Sequence, residues 1–140
     1  MQARSAVIAI AVLGSAGCIA LPTVDTSKQA SAAVMGQVVR SDGVTPVGGP
    51  IVGAELFSAV VNNTTRALGR GSVIADDHGR FLFIFQPNGE DPQTGSVNVS
   101  VAAPIGSGLL SKDTLSIPVR ISLGLMPTDT TFVLIKLLAR

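Results

Sequence analysis

From Leu115 to Leu123 the chain reads Leu-Ser-Ile-Pro-Val-Arg-Ile-Ser-Leu, apolar at every odd position and at no even one. A period of two is the mark of a β-strand with one buried face, and a helix cannot use it. Val97-Asn98-Val99-Ser100-Val101 repeats the pattern. Phe81-Leu82-Phe83-Ile84-Phe85 is apolar on both faces and rich in β-formers, which predicts a central strand. Val133 to Leu138 is similar, and Val34–Ser41, Ile51–Val61 and Gly71–Ala75 are weaker candidates. Turn residues separate the runs: Asp77-His78-Gly79 before the phenylalanines, Asn88-Gly89 and Pro92 after them. Pro118 cannot donate to a ladder, so its strand is expected at an edge or bulged there. About seven short strands, with no segment of helical period, predict an all-β domain built as a β-sandwich.

The N-terminus follows a different logic. Met1 to Arg4 carries one positive charge, and Ala6 to Ala16 is apolar and small. About eleven residues at ~1.5 Å each span about 16 Å, half of what a transmembrane helix needs. A charged start, a short apolar core and a small-residue exit predict a signal peptide. Export suits a chain whose only cysteine, Cys18, sits at that exit, leaving the mature fold without an internal disulfide.

The exit, Leu13-Gly14-Ser15-Ala16-Gly17-Cys18, resembles the lipobox of bacterial lipoproteins, with Ser15 where leucine is commonest. The resemblance implies that residues 1–17 are removed and that Cys18 is lipidated. Two or three acyl chains, at ~0.8 kcal/mol per buried CH₂, would then anchor the protein stably where one would not. The alternative is ordinary cleavage after Ala20, with Cys18 part of the discarded signal. Ile19, rather than aspartate, follows the cysteine; among Gram-negative lipoproteins this resembles a protein passed on to the outer membrane. Residues 18–33, rich in Ser, Thr and Ala, are expected to form a flexible tether, and residues 34–140 the domain.

Within that domain, Gly36-Gln37-Val38-Val39, Gly49-Pro50-Ile51-Val52-Gly53-Ala54-Glu55-Leu56, Asp77-His78-Gly79-Arg80-Phe81-Leu82-Phe83 and Pro87-Asn88-Gly89 together resemble the carboxypeptidase regulatory-like domain. That resemblance implies a seven-stranded transthyretin-like, immunoglobulin-like sandwich. Its motifs are glycine and turn placements and carry no catalytic residue. Where the family often has Pro-Gly-x-Tyr, this chain inserts Glu90 to Gly95 and has no tyrosine.

Composition narrows the chemistry. Removing Arg4 with the signal leaves Lys+Arg at 10 − 1 = 9 against Asp+Glu at 9, and no block of like charge exists. Such a surface has no electrostatic reason to bind nucleic acid. With no Trp or Tyr there is no aromatic platform for a sugar or a base. The five phenylalanines, Phe57, Phe81, Phe83, Phe85 and Phe132, fall in strand runs and are expected in the core. Gly48-Gly49 and Gly69-Arg70-Gly71 precede no helix and make no phosphate loop. Asn62-Asn63-Thr64-Thr65 is a polar loop.

His78, the only histidine, lies in a turn and suits solvent better than a triad. Asp76 and Asp77 are weak metal candidates. They stand about 20 Å from Glu90 and Asp91 along the intervening strand, and no calcium-loop spacing is present. If the strands alternate up and down, Asp42, Asp76, Asp77 and Asp113 share one end with the Ala103–Thr114 loop. Arg66, Arg70, Glu90, Asp91 and the tether share the other. Leu109 and Leu110 are expected to be exposed on that loop, as a partner contact or as a lid over the sandwich edge.

The expectation is a non-catalytic lipoprotein, anchored to a membrane and serving a structural or protein-interaction role with another envelope protein. It has no cofactor and no small-molecule substrate. The competing expectation is a module that binds calcium or a glycan through the distal loops.

Overall fold

The structure, a computed structural model, describes residues 29–140. The expected signal peptide, Cys18 and most of the expected tether lie outside the described residues. Seven strands follow one another: β1 (Ala30–Arg40), β2 (Ile51–Phe57), β3 (Ala67–Ile74), β4 (Arg80–Phe85), β5 (Gln93–Ala102), β6 (Lys112–Leu123) and β7 (Thr130–Leu137), with no helix among the described residues. Each of the seven predicted runs became a strand. β1 starts at Ala30, earlier than the expected domain boundary at Val34, because Ala30, Ala32 and Ala33 are buried and Ala30 pairs with Leu123.

The strands form one sheet in the order β3-β2-β5-β6-β1-β4, with β7 added on β1. Every pairing is antiparallel except β1 with β7, which is parallel. These pairings make the strands run alternately up and down in chain order. Two long ladders result, β3-β2-β5-β6 and β4-β1-β7, and they join only where Ala30 and Ser31 meet Leu123 and Ser122. The ends of the path, β3 and β4, come together without a ladder. A Cβ on Gly69 would lie 3.5 Å from the Phe85 ring, ordinary contact distance, so β3 packs against the β4 aromatics.

One core fills the space between the ladders. Val34 and Val38 of β1, Val52 and Leu56 of β2, Val97, Val99 and Val101 of β5, and Ile117, Val119 and Ile121 of β6 all point into it. Phe81, Phe83 and Phe85 line up beside them. The first pair meets edge to face at 5.9 Å and the second stacks at 6.0 Å. Gly36, opposite Phe81, is required by this packing: a Cβ there would lie 2.5 Å from Phe81 Cζ and 2.6 Å from the Val133 carbonyl oxygen.

The structure corrects two sequence expectations. The central strand is β1, which pairs with β4, β6 and β7, whereas β4 pairs with β1 alone and exposes Leu82 and Ile84. A run apolar on both faces can be an edge strand when its outer face is itself an apolar surface. Likewise only three of the phenylalanines are core residues. Phe132 is 60% exposed and Phe57 is half-buried. Pro118 behaves as expected. It pairs with Ser96 on a strand whose other side is open along this stretch.

Candidate interaction surface

The outer faces of the two ladders differ in chemistry. On β3-β2-β5, Glu55, Arg70, Ser72, Asn98 and Ser100 surround a shallow polar depression of about 440 Å³ floored by Gly53 and Gly71. This is the ordinary alternation of a sheet with one solvated face. On β4-β1-β7 the outer face is apolar. The register sets it out in rows: Ile84, Ala33 and Thr130; then Leu82, Met35 and Phe132; then Arg80, Gln37 and Leu134. Met35, Leu82, Ile84, Phe132 and Leu134 are all exposed. With strands ~4.8 Å apart and rows ~6.7 Å apart, the patch measures about 10 by 13 Å.

Polar groups rim this patch. Gln37 donates from Nε2 to the His78 carbonyl oxygen at 2.9 Å, which ties the patch to the β3–β4 turn. Asp76, Arg80, Met35, Phe132 and Leu82 line a depression of about 500 Å³ there. The patch is thus a contiguous apolar area bordered by polar side chains.

Asp76 holds the neighbouring turn. Its Oδ1 accepts the backbone N–H groups of His78 and Arg80, both at 2.8 Å, and its carbonyl oxygen accepts from Gly79 at 2.9 Å. The Arg80 N–H does most to keep the Asp76 carboxyl below its ordinary value. Gly79 closes the turn with φ of 74°, where a Cβ would meet the Val38 carbonyl oxygen at 2.3 Å. Asp42 does the same work in the β1–β2 loop. Its carboxylate accepts from the Thr45 hydroxyl and from the N–H groups of Thr45 and Val44, and its pKa falls to about 2. Asp76 and Asp77 are not joined by a third ligand. Among the described residues no group of three or more His, Cys, Asp or Glu is placed to hold a metal ion.

The structure separates the two leucines of the β5–β6 loop. Leu109 is 2% exposed and belongs to the core, contrary to the expectation that both are exposed. It forms a bridge with Ala139, while Leu110 N–H donates to the Leu138 carbonyl oxygen at 2.8 Å and Arg140 N–H to that of Gly108 at 2.9 Å. The loop is a lid fastened to the C-terminal residues. Only Leu110 faces outward.

At the opposite end, which Arg66 and Glu90 share as expected, the two form a bidentate pair at 3.0 and 2.8 Å. Gln93 Nε2 adds a bond to Glu90 at 3.0 Å, and its Oε1 accepts the Ala59 N–H at 2.8 Å. The Arg66 hydrogen bonds hold the Glu90 carboxyl below its ordinary value, outweighing the upward push of burial. Arg70 is not part of this end. It lies in the middle of β3 opposite Glu55.

The apolar face had a signal that sequence reading passed over. Leu82 and Ile84 alternate with buried phenylalanines, and Phe132 and Leu134 alternate with Val133 and Ile135. Both runs were assigned to burial on two faces.

No protein-family model matches the chain. No curated protein is similar to it in sequence. Among solved structures it is similar to the 3-chlorocatechol 1,2-dioxygenase of Rhodococcus opacus 1CP, at 14% identity and a TM-score of 0.50 over 86% of this chain. A 9R-lipoxygenase from Cyanothece PCC8801 is 17% identical over 87% of this chain, with a TM-score of 0.38. An (S)-allantoin synthase is 17% identical over 79%, with a TM-score of 0.40. This chain spans 64%, 18% and 41% of their respective lengths. The likeness to the dioxygenase is one of fold alone.

Proposed function

We propose that this protein is an envelope lipoprotein, anchored through acylated Cys18, whose β domain docks another envelope protein without catalysing a reaction. The observation that carries the docking role is the contiguous apolar outer face of β4-β1-β7, set against the polar outer face of β3-β2-β5. The domain is read as a transthyretin-like sandwich of the carboxypeptidase regulatory-like kind. Its two long ladders, joined at two residue pairs, support that reading. The lipobox supports the anchor, and Ile19 after the cysteine supports the outer membrane.

The protein partner follows from the physics of the patch. Five exposed aliphatic and aromatic side chains offer a continuous apolar area, with an open depression of about 500 Å³ at its Arg80 end. Association is driven by removing that area from water, at ~25 cal/mol per Å².

The test has two parts. Intact mass and detergent partition of the mature protein, beside Cys18→Ala, read the anchor. Lipid mass on a chain beginning at residue 18 supports it; a water-soluble chain beginning at Leu21 refutes it. Photocrosslinking from position 132 in whole envelopes, beside position 100 on the polar face, reads the docking surface. A discrete adduct from 132 and none from 100 supports the assignment; equal yields refute it.

A further inference from the structure

We infer that the end of the domain where the chain comes in at Gln29 is a membrane-contacting surface that seats its apolar loop tips in the lipid interface. This deepens the anchored-lipoprotein reading and rests on it.

Three features reach this end together. Gln29 is pinned there: its carbonyl oxygen accepts from Gly124 N–H at 2.7 Å, and its Nε2 donates to the Gln86 carbonyl oxygen at 3.1 Å. Beside it the β6–β7 loop exposes Leu123, Leu125 and Met126, the last at 67%. Gln86 Nε2 holds this loop by donating to the Leu125 carbonyl oxygen at 2.7 Å. The third feature is the β2–β3 hairpin, which exposes Val60 and Val61. Val61 and Thr64 exchange backbone hydrogen bonds at 2.9 and 3.0 Å across Asn62 and Asn63, both at positive φ (53° and 61°). That is a tight two-residue turn, so the valines sit on a formed tip.

The register puts the two tips at one height. Phe57, Ser96 and Pro118 lie in one row. Val61 is four residues beyond that row and Leu123 five, or ~13 and ~16 Å at ~3.3 Å per residue. Ala30 pairs with Leu123 and stands level with it. The incoming chain and both apolar tips therefore lie at the same end of the strands.

Few charges stand at this end. Among the described residues, the charges near the tips are Arg66 paired with Glu90, Arg120 with Asp129 at 3.8 Å, and Asp91. The far end carries more charge of both signs, with Arg40, Arg80, Lys112 and Arg140 beside Asp42, Asp76, Asp77 and Asp113. Cys18 lies eleven residues before Gln29, so even a fully extended link keeps the acyl chains within about 40 Å of this end. An anchor so placed holds these tips near the bilayer, where shallow apolar insertion adds to acyl binding.

The experiment uses the full acylated protein in phosphatidylethanolamine–phosphatidylglycerol vesicles. With Cys18 acylated, Met126→Cys, Val61→Cys or Ile105→Cys supplies the one free thiol for an environment-sensitive fluorophore. All three positions are exposed, and Ile105 is the far-end control. The expected result is at least twofold greater quenching by bromine-labelled acyl chains at 126 and 61 than at 105. Equal quenching at all three positions, with lipid mass confirmed on Cys18, overturns this inference and leaves the anchor standing. A blue shift at 126 and 61 without bromine quenching means a protein covers the tips, and overturns it as well. Absence of lipid mass removes the anchor and this inference together.

Discussion

Leu109→Ala and Leu110→Ala, changes one residue apart, should differ about fivefold or more in the stability they cost. Leu109 is 2% exposed and packs in the core, whereas Leu110 is 43% exposed. Truncating a buried leucine removes apolar contacts and leaves a cavity, at a cost of ~2–5 kcal/mol. Leu109 sits under a loop that can settle into part of the space, so the lower half of that range applies, ~2.5 kcal/mol. Leu110→Ala removes surface side chain and should cost less than ~0.5 kcal/mol. Urea unfolding of the purified domain reads both. With a denaturant slope of ~1–3 kcal/mol per M, Leu109→Ala should lower the midpoint by about 1–2 M and leave the slope unchanged. Leu110→Ala should lower it by less than about 0.3 M. Equal midpoints for the two variants would refute the lid. The loop would then be detached from the core, and both leucines would be free to dock a partner.

Glu90→Gln should lower the melting temperature at pH 7, since an amide cannot accept both Arg66 bonds. Because the folded pKa of Glu90 lies below its ordinary value of about 4.5, ionised Glu90 stabilises fully above that pH and loses its contribution as pH falls through the folded value. Melting curves from pH 7 to pH 2 should therefore show the gap to wild type closing in acid, and a constant gap refutes the assignment. Ser31→Ala should hold or raise stability, by up to ~1 kcal/mol, because the Ser31 hydroxyl is buried without a partner; a loss beyond ~1 kcal/mol in chemical denaturation would show that it is bonded. Gly36→Ala should destabilise by more than ~2 kcal/mol, since its Cβ would stand 2.6 Å from the Val133 carbonyl oxygen, and wild-type stability would refute the close packing of β1 against β7. Phe132→Ser should leave the melting temperature within about 2 °C while abolishing the crosslinked adduct from a neighbouring position such as 134, and an undiminished adduct would refute docking on this face.

The strands were legible because period two and turn glycines are local signals. Leu115–Leu123 declared its buried face residue by residue, and Gly79 marked the turn that Asp76 closes. Pairing was not legible, since it depends on contacts far apart in the chain. Nothing in Val34–Ser41 indicates that β1 takes three partners, or that Ala30 to Ala33 extend it as buried residues instead of joining the tether. The glycines of Gly69-Arg70-Gly71 read only as a failed phosphate loop. In the fold Gly69 and Gly71 lie against Phe85 and Phe83, on a strand to which β3 is not hydrogen-bonded. The same limit hid the surface. Periodicity tells which residues share a face of one strand, and Leu82 with Ile84 were correctly on one face. Whether that face is covered depends on what the rest of the fold brings over it: Ser31, Ala33 and Val39 on β1 are buried, whereas Met35, Leu82, Ile84, Phe132 and Leu134 stay exposed.

The two proposed surfaces constrain each other through the strand direction. The tips that would touch lipid lie at one end of the strands, and the apolar face of β4-β1-β7 runs along their length. A domain seated on its tips stands with its strands steep to the bilayer, so that face looks sideways, parallel to the membrane plane. The lowest row, Ile84 with Thr130, is then nearest the lipid, and Arg80 with Gln37 lies farther out. A partner docking there approaches laterally and has its own surface within a few tens of ångströms of the bilayer. Lateral approach favours a partner that is itself held at the membrane, because confinement to one plane raises the effective concentration of each for the other. A patch of about 10 by 13 Å is small for a stable complex between free proteins, whose interfaces bury about 800 Å² on each side. It is adequate for two proteins already anchored side by side. On these two proposals acylation of Cys18 and docking at Phe132 would act as one device: Cys18→Ala should weaken the adduct from position 132 even though the two residues belong to different parts of the chain.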